Sequence, residues 1–126
     1  MKAIEIINNN CFADWSTNTI TVDYDNVVVV IEELYSASKF SIHCMNFIGI
    51  AYIGQWDENI IEDIFIERKG DLLDCSIKKV VQFNGDSPSP GGGTKKLTNK
   101  WYQLNIKLID GLIIQIVCDS FLFEKL

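Results

Sequence analysis

The chain reads as an all-β protein, an antiparallel sandwich or small barrel of about eight or nine strands with at most one short helix. Three observations carry that expectation. Apolar residues recur with period two along most of the chain, turn-forming pairs interrupt the pattern at short intervals, and several segments are apolar on both faces, as central strands of a layered or closed structure are. With 126 residues, 48% apolar and 22% charged, 8 Gly and only 2 Pro, the composition fits a single globular domain over residues 1–126. A chain of this size buries roughly two-thirds of its extended surface on folding, so a core forms without a metal or disulfide scaffold.

The first hairpin is expected where Ile20, Val22 and Tyr24 precede Asp25-Asn26, and Val27, Val29 and Ile31 follow. A two-residue turn there pairs Tyr24 with Val27, Val22 with Val29 and Ile20 with Ile31, all apolar. Glu32 to Ser38 is the one stretch of helical character. Phe40 to Ile53 is too long and too apolar for one flat strand, and Gly49 and Gly54 mark a bend or bulge in it. Ile60 to Glu67 is a further strand, closed by a turn at Arg68-Lys69-Gly70-Asp71.

Between Leu72 and Phe83 two templates compete. Leu73, Cys75, Ile77, Val81 and Phe83 alternate as in a strand, whereas Leu73, Ile77, Val80 and Val81 follow a helical stripe. Alternation accounts for more of the segment, so a strand is expected. Gly85 to Thr94, rich in Gly, Pro and Ser, reads as a flexible loop within the domain. Asp110-Gly111, between Ile106-Lys107-Leu108-Ile109 and Leu112-Ile113-Ile114, signals a second hairpin, because this dipeptide tolerates the positive φ of a type I′ turn. The strand before it carries Tyr102, Leu104, Ile106 and Leu108 on one face and Trp101, Gln103, Asn105 and Lys107 on the other. Leu112 to Cys118 would be adhesive as an exposed edge, which makes edge pairing into a homodimer an expectation.

After Lys2 the first apolar run stops at Glu5, unlike a secretory signal. The longest aliphatic run, Val27 to Ile31, is far short of the roughly 20 residues that cross a bilayer. Cys11, Cys44, Cys75 and Cys118 lie 33, 31 and 43 residues apart, without a C-x-x-C pair or zinc-ribbon spacing. They are expected as reduced, buried thiols of a cytoplasmic protein.

Chemistry-bearing motifs are sparse. His43 is the only histidine, so any triad or histidine-based metal site must include it. Its neighbour Cys44 points to the opposite face if both lie on a strand. The densest polar and aromatic cluster is Gly54-Gln55-Trp56-Asp57-Glu58-Asn59, followed by Glu62 and Asp63. Paired carboxylates divide acid and base roles in hydrolases, and a Trp beside them suits sugar stacking. Trp15 and Trp101 are further aromatic candidates. An EF-hand pattern fails at Ile61, and Gly91-Gly92-Gly93-Thr94-Lys95-Lys96 does not meet the phosphate-loop spacing. No metal and no cofactor is therefore expected.

Charge is more informative. From Met1 to Glu67 there are 2 basic residues against 11 acidic ones, a balance of −9; from Arg68 to Leu126 there are 9 against 6, a balance of +3. The net −6 opposes a nucleic-acid backbone or an anionic membrane as partner. An acidic face steers a basic protein instead. The expectation is a cytoplasmic, non-catalytic interaction protein of the neutralising or immunity type. The alternatives are a sandwich or barrel that binds a carbohydrate or other small molecule and, with less support, a hydrolase. Candidate contact residues are Trp56, Asp57, Glu58, Glu62, Asp63, Trp15, Trp101 and His43.

Overall fold

A computed structural model of the chain describes residues 2–52, 59–84 and 100–126. The protein is a mainly-β sandwich of two four-stranded antiparallel sheets, with no closed barrel. Sheet A has the order β1-β2-β3-β8, formed by β1 (Ser16–Val22), β2 (Asn26–Glu32), β3 (Lys39–Met45) and β8 (Ser120–Lys125). Sheet B has the order β4-β7-β6-β5, formed by β4 (Gly49–Ala51), β5 (Ile61–Glu67), β6 (Tyr102–Leu108) and β7 (Ile113–Cys118). The core between the sheets is made by the alternate positions that periodicity selects: Val27, Val29, Ile31 and Ile42 from sheet A meet Ile64, Leu104, Ile106 and Ile116 from sheet B, each at most 1% exposed.

Two helices accompany the sheets, where at most one short helix was expected. The first, α1 (Lys2–Asn8), was not anticipated; it turns Ala3, Ile4 and Ile7 onto the core, the i, i+3, i+4 stripe of an amphipathic helix. The second, α2 (Asp71–Asn84), replaces the strand expected over 72–83. Leu73 and Ser76 are buried and Leu72, Ile77 and Val80 half-buried, while Asp74, Cys75, Lys78, Lys79 and Val81 face out. That 3.6-residue repeat includes Ser76, which the alternating count scored as a polar outward position. Asp71 and Asp74 sit in the first turn, where carboxylates complement the helix dipole, and Asp74 N–H donates to Gly70 O (3.0 Å).

Local geometry corrects three other details. Residues 32–38 form no helix. Ala37 N–H donates to Glu33 O (3.1 Å), but Ala37 is left-handed (φ 56°), so the single turn stops and Glu33 N–H bonds Ser38 O (2.9 Å) to lead into β3. In the first hairpin Asp23 N–H donates to Asn26 O (2.8 Å), making Tyr24-Asp25 the turn. Val22 thus pairs with Val27 and Ile20 with Val29. The slide from the expected register is two residues, which leaves every side chain on its expected face. The second hairpin turns through three residues, Ile109, Asp110 and Gly111, closed by Leu108 N–H to Leu112 O (2.9 Å). Only Gly111 has positive φ (94°), and Asp110 Oδ1 accepts from Leu112 N–H (3.1 Å).

The interruption expected near Gly49 is present: β3 ends at Met45, and β4 begins at Gly49 in the other sheet. The expected strand near 60–67 is β5. Leu112 to Cys118 is not an edge, because β7 is paired on both sides, by β6 and β4. The chain changes sheets at residues 46–48 and at 119, and Asn46 Nδ2 donates to Asp119 Oδ2 (2.7 Å), tying the two crossovers together. The Gly85 to Thr94 loop lies outside the described residues.

Candidate functional site

The start of β1 and the start of β5 join the two sheets at one corner. Ser16 bridges Ile60. Asp14 N–H donates to Ile61 O (2.9 Å), Ile61 N–H to Trp15 O (2.7 Å) and Thr17 N–H to Asn59 O (2.9 Å), while the Asn59 amide returns a bond to Thr17 O (3.0 Å). Asp14 makes the corner with a left-handed backbone (φ 71°), a conformation that a short polar side chain tolerates.

This stitching gathers acids. Glu32 is the register partner of Ser16, and Asp14 is backbone-bonded to Ile61, whose successors are Glu62 and Asp63. A register shift between Ile61 and Asp63 breaks the alternation of β5, so Glu62 and Asp63 are both exposed. None of Asp14, Glu32, Glu62 and Asp63 is in an ion pair with another described residue, although Glu32 lies opposite Lys39 and Asp63 opposite Lys107 in register. Among the described residues, the carboxylates at this corner are positioned by backbone pairing and none is neutralised by an ion-pair partner.

Beside the corner, Thr17, Asn18, Thr19, Ile20 and Tyr52 line a shallow groove of about 210 Å³. A register shift between Thr17 and Thr19 makes Asn18 the extra residue of a bulge. Thr17 is 4% exposed, and its hydroxyl has no hydrogen-bond partner among the described residues.

The aromatic candidates separate. Trp15 lies in the core between the sheets, edge-on to Phe12 (5.0 Å between centroids) and tilted on Phe40 (5.3 Å). Trp101 is buried on the other side of sheet B, under α2 with Leu73 and Val117, and its indole N–H has no hydrogen-bond partner among the described residues. The two rings do not border one cavity. Trp56, Asp57 and Glu58 lie outside the described residues. His43 sits half-buried on the outer face of sheet A, between Val28 and Leu122 in register, with Nε2 3.1 Å from Ser41 Oγ. Cys44 points the other way, into the core.

Sheet B hides a polar cluster on the face that alternation sets opposite Tyr102, Leu104, Ile106 and Leu108. Leu73 N–H donates to Gln103 Oε1 (3.0 Å), and Gln103 Nε2 donates to Asn105 Oδ1 (2.9 Å). Gln115 Nε2 donates to that same oxygen (3.1 Å), and Asn105 Nδ2 donates to Glu67 Oε2 (2.9 Å). Gln103 and Asn105 are each 2% exposed. A usable signal was present: this face carries two neutral amides, where a solvated strand face carries Lys, Glu or Thr. All four cysteines are free; Cys11 and Cys75 are exposed, Cys44 and Cys118 buried. Burial, then the adjacent Cys44 thiol, push Cys118 well above the ordinary thiol range, so it stays protonated and inert at neutral pH.

Among the described residues no group of three or more His, Cys, Asp or Glu is placed to hold a metal ion, and no helix is long and apolar enough to cross a membrane. No family model matches the chain, and no curated protein matches it. A solved structure, an uncharacterized protein from Neisseria gonorrhoeae, is similar at 15% identity and a TM-score of 0.45, over 91% of this chain and 94% of that chain.

Proposed function

We propose that the protein is a cytoplasmic, non-catalytic binding protein of the neutralising or immunity type, whose acidic N-terminal half engages a basic protein. The observation that carries this reading is the corner whose paired backbone segments carry Asp14, Glu32, Glu62 and Asp63, none with an ion-pair partner among the described residues. Unpaired like charges repel one another, and a basic partner relieves that repulsion as it binds. The four free thiols support a reducing compartment. The small-molecule alternative has less support, because the fully buried Ile31, Ile42, Leu104, Ile106 and Ile116 occupy the space between the sheets. The hydrolase alternative lacks a carboxylate within hydrogen-bond reach of His43 among the described residues, whose ring meets Ser41.

The test is capture of partners by the tagged protein at about 0.1 M and about 1 M salt, across which the Debye length falls from about 10 to about 3 Å. Wild type should retain a basic protein only at low salt, and the triple variant Asp14→Asn, Glu62→Gln, Asp63→Asn should lose it. A partner held equally by wild type and variant would overturn the reading.

A further inference from the structure

A sandwich of two open sheets has four edge strands, and three of these edges are guarded. β4 is only three residues long. β5 carries the Glu62-Asp63 bulge and is covered at both ends: Asp14 and Trp15 bond Ile61, and the side-chain amide of Asn8 both donates to Ile66 O (3.0 Å) and accepts from Ile66 N–H (2.7 Å). β8 bears Glu124 and Lys125 and packs against α1. Short edges, charges, bulges and covering elements are the usual means of blocking strand addition.

β1 differs. Its sequence Ser16–Val22 holds no charged residue and no proline. Past the corner its outer side meets no other strand among the described residues. The turn bond from Asp23 N–H to Asn26 O sets the parity of the ladder, so Thr19 and Thr21 exchange bonds with β2, whereas Ile20 and Val22 direct N–H and C=O outward. Apolar surface accompanies this open edge: Val22 is 51% exposed, Tyr24 82% and Tyr52 50%, and the groove of Thr17 to Ile20 and Tyr52 runs alongside. Acids stand at both ends, Asp23 and Asp25 at the hairpin tip and Asp14 and Glu32 at the corner.

We propose that β1 is a strand-addition site for an extended, basic segment of a partner protein, which pairs with the outward groups of Ile20 and Val22 and places Lys or Arg at the acidic ends. This deepens the reading of the acidic half given above and rests on it. Main-chain bonds supply the register, apolar side chains of the added strand cover Val22 and Tyr52, and charge selects the partner. A second copy of this chain is the wrong occupant. Antiparallel pairing of two β1 strands sets Asp23 and Asp25 of one copy near Asp14 of the other, and parallel pairing aligns each acid with itself, so both orientations juxtapose like charges.

The probe is a synthetic peptide of about nine residues alternating Lys and Val, long enough for one strand. Backbone NMR and amide hydrogen exchange are followed on the full chain at low salt, with an alternating Glu and Val peptide as control. The Lys peptide should slow exchange at Ile20 and Val22 by at least about tenfold, equivalent to about 1.4 kcal/mol, and the Glu peptide should not. Val22→Pro removes an outward N–H that bonds nothing within sheet A, a position where an edge strand accepts proline. This variant should keep the fold and lose at least about tenfold in peptide affinity, again about 1.4 kcal/mol. Shifts confined to Asp14, Glu32, Glu62 and Asp63, with Ile20 and Val22 exchanging as before, would overturn the strand-addition site while leaving the acidic-surface reading standing. Equal binding of the Glu peptide, or no binding of the Lys peptide, would overturn the site as well. Loss of salt-sensitive capture in the experiment above would overturn the broader reading. The exchange readout on wild type decides the question even if Val22→Pro fails to fold.

Discussion

Sheet A and sheet B have the same number of strands and share one core, yet they treat their outer surfaces in opposite ways. The outer face of sheet B is closed by α2. Gly49 lets the helix come so near that an added Cβ would collide with Ser76, and Val117, Trp101 and Leu73 form a second small core beneath it. Among the described residues no helix covers the outer face of sheet A: Val28, Val30 and His43 are half-buried, Ser41 is buried and Leu122 is 42% exposed. Edges follow the same division, with β5 capped by Asn8 and β1 open beyond Thr17 among the described residues. Sheet B thus packs both of its faces, whereas among the described residues sheet A packs only its inner face against another layer.

The largest expected effect lies in the amide cluster of sheet B. Asn105→Ala removes one donor and one acceptor from a buried network and strands Glu67, Gln103 and Gln115; the unfolding free energy from denaturant titration should fall by about 2–4 kcal/mol. A loss below about 1 kcal/mol would mean that water replaces the amide and that this face is not sealed. Next comes a matched pair on the two outer faces. Val117→Ala, beneath α2, should cost about 2 kcal/mol, whereas Leu122→Ala on the outer face of sheet A should stay within about 0.5 kcal/mol. Equal losses would erase the distinction between the faces.

Asn8→Ala tests the guarded edge. It deletes two hydrogen bonds to Ile66, should cost about 1–2 kcal/mol, and should speed amide exchange at Ile66 while leaving β1 unchanged. Exchange at Ile66 as slow as in wild type would show that α1 covers the edge without Asn8.

The smallest effect is at the seam between the sheets, where Cys44 of sheet A lies beside Cys118 of sheet B. The folded pKa of Cys118 is raised, first by burial and then by Cys44. For an acid shifted upward, the stability present below the unfolded thiol value of about 8.5 is lost as the pH rises beyond it. The melting temperature should therefore hold up to about pH 8 and decline toward about pH 10, and Cys118→Val should flatten that decline. An identical decline in the variant would assign it to other groups.

Strands were legible because a strand buried on one face imposes period two on its own residues, and β6 carries that period plainly. Turn chemistry was legible at Asp110-Gly111, but not its length, since a glycine in the left-handed region serves a two-residue or a three-residue turn equally well. α2 was misread because Ser76 packs against Gly49, a contact that makes a polar residue an inward one. At the candidate site, the exposure of Glu62 and Asp63 follows from a bulge, and their approach to Asp14 and Glu32 follows from the bridge between Ser16 and Ile60. Trp15 and Trp101 stood out by residue type, but they serve two different apolar clusters.

By itself the sequence determined the β class, the inward face of β2 and the acidic bias of the first half, because each of these is written in residues close together along the chain. Only the tertiary structure decided which face α2 covers, which edge strand lacks a neighbour among the described residues and which acidic segments are paired. Those outcomes depend on pairings between distant segments, such as residue 16 with 60 and residue 8 with 66. Their hydrogen bonds and contacts exist only after the sheets have formed, and no local period records them in advance.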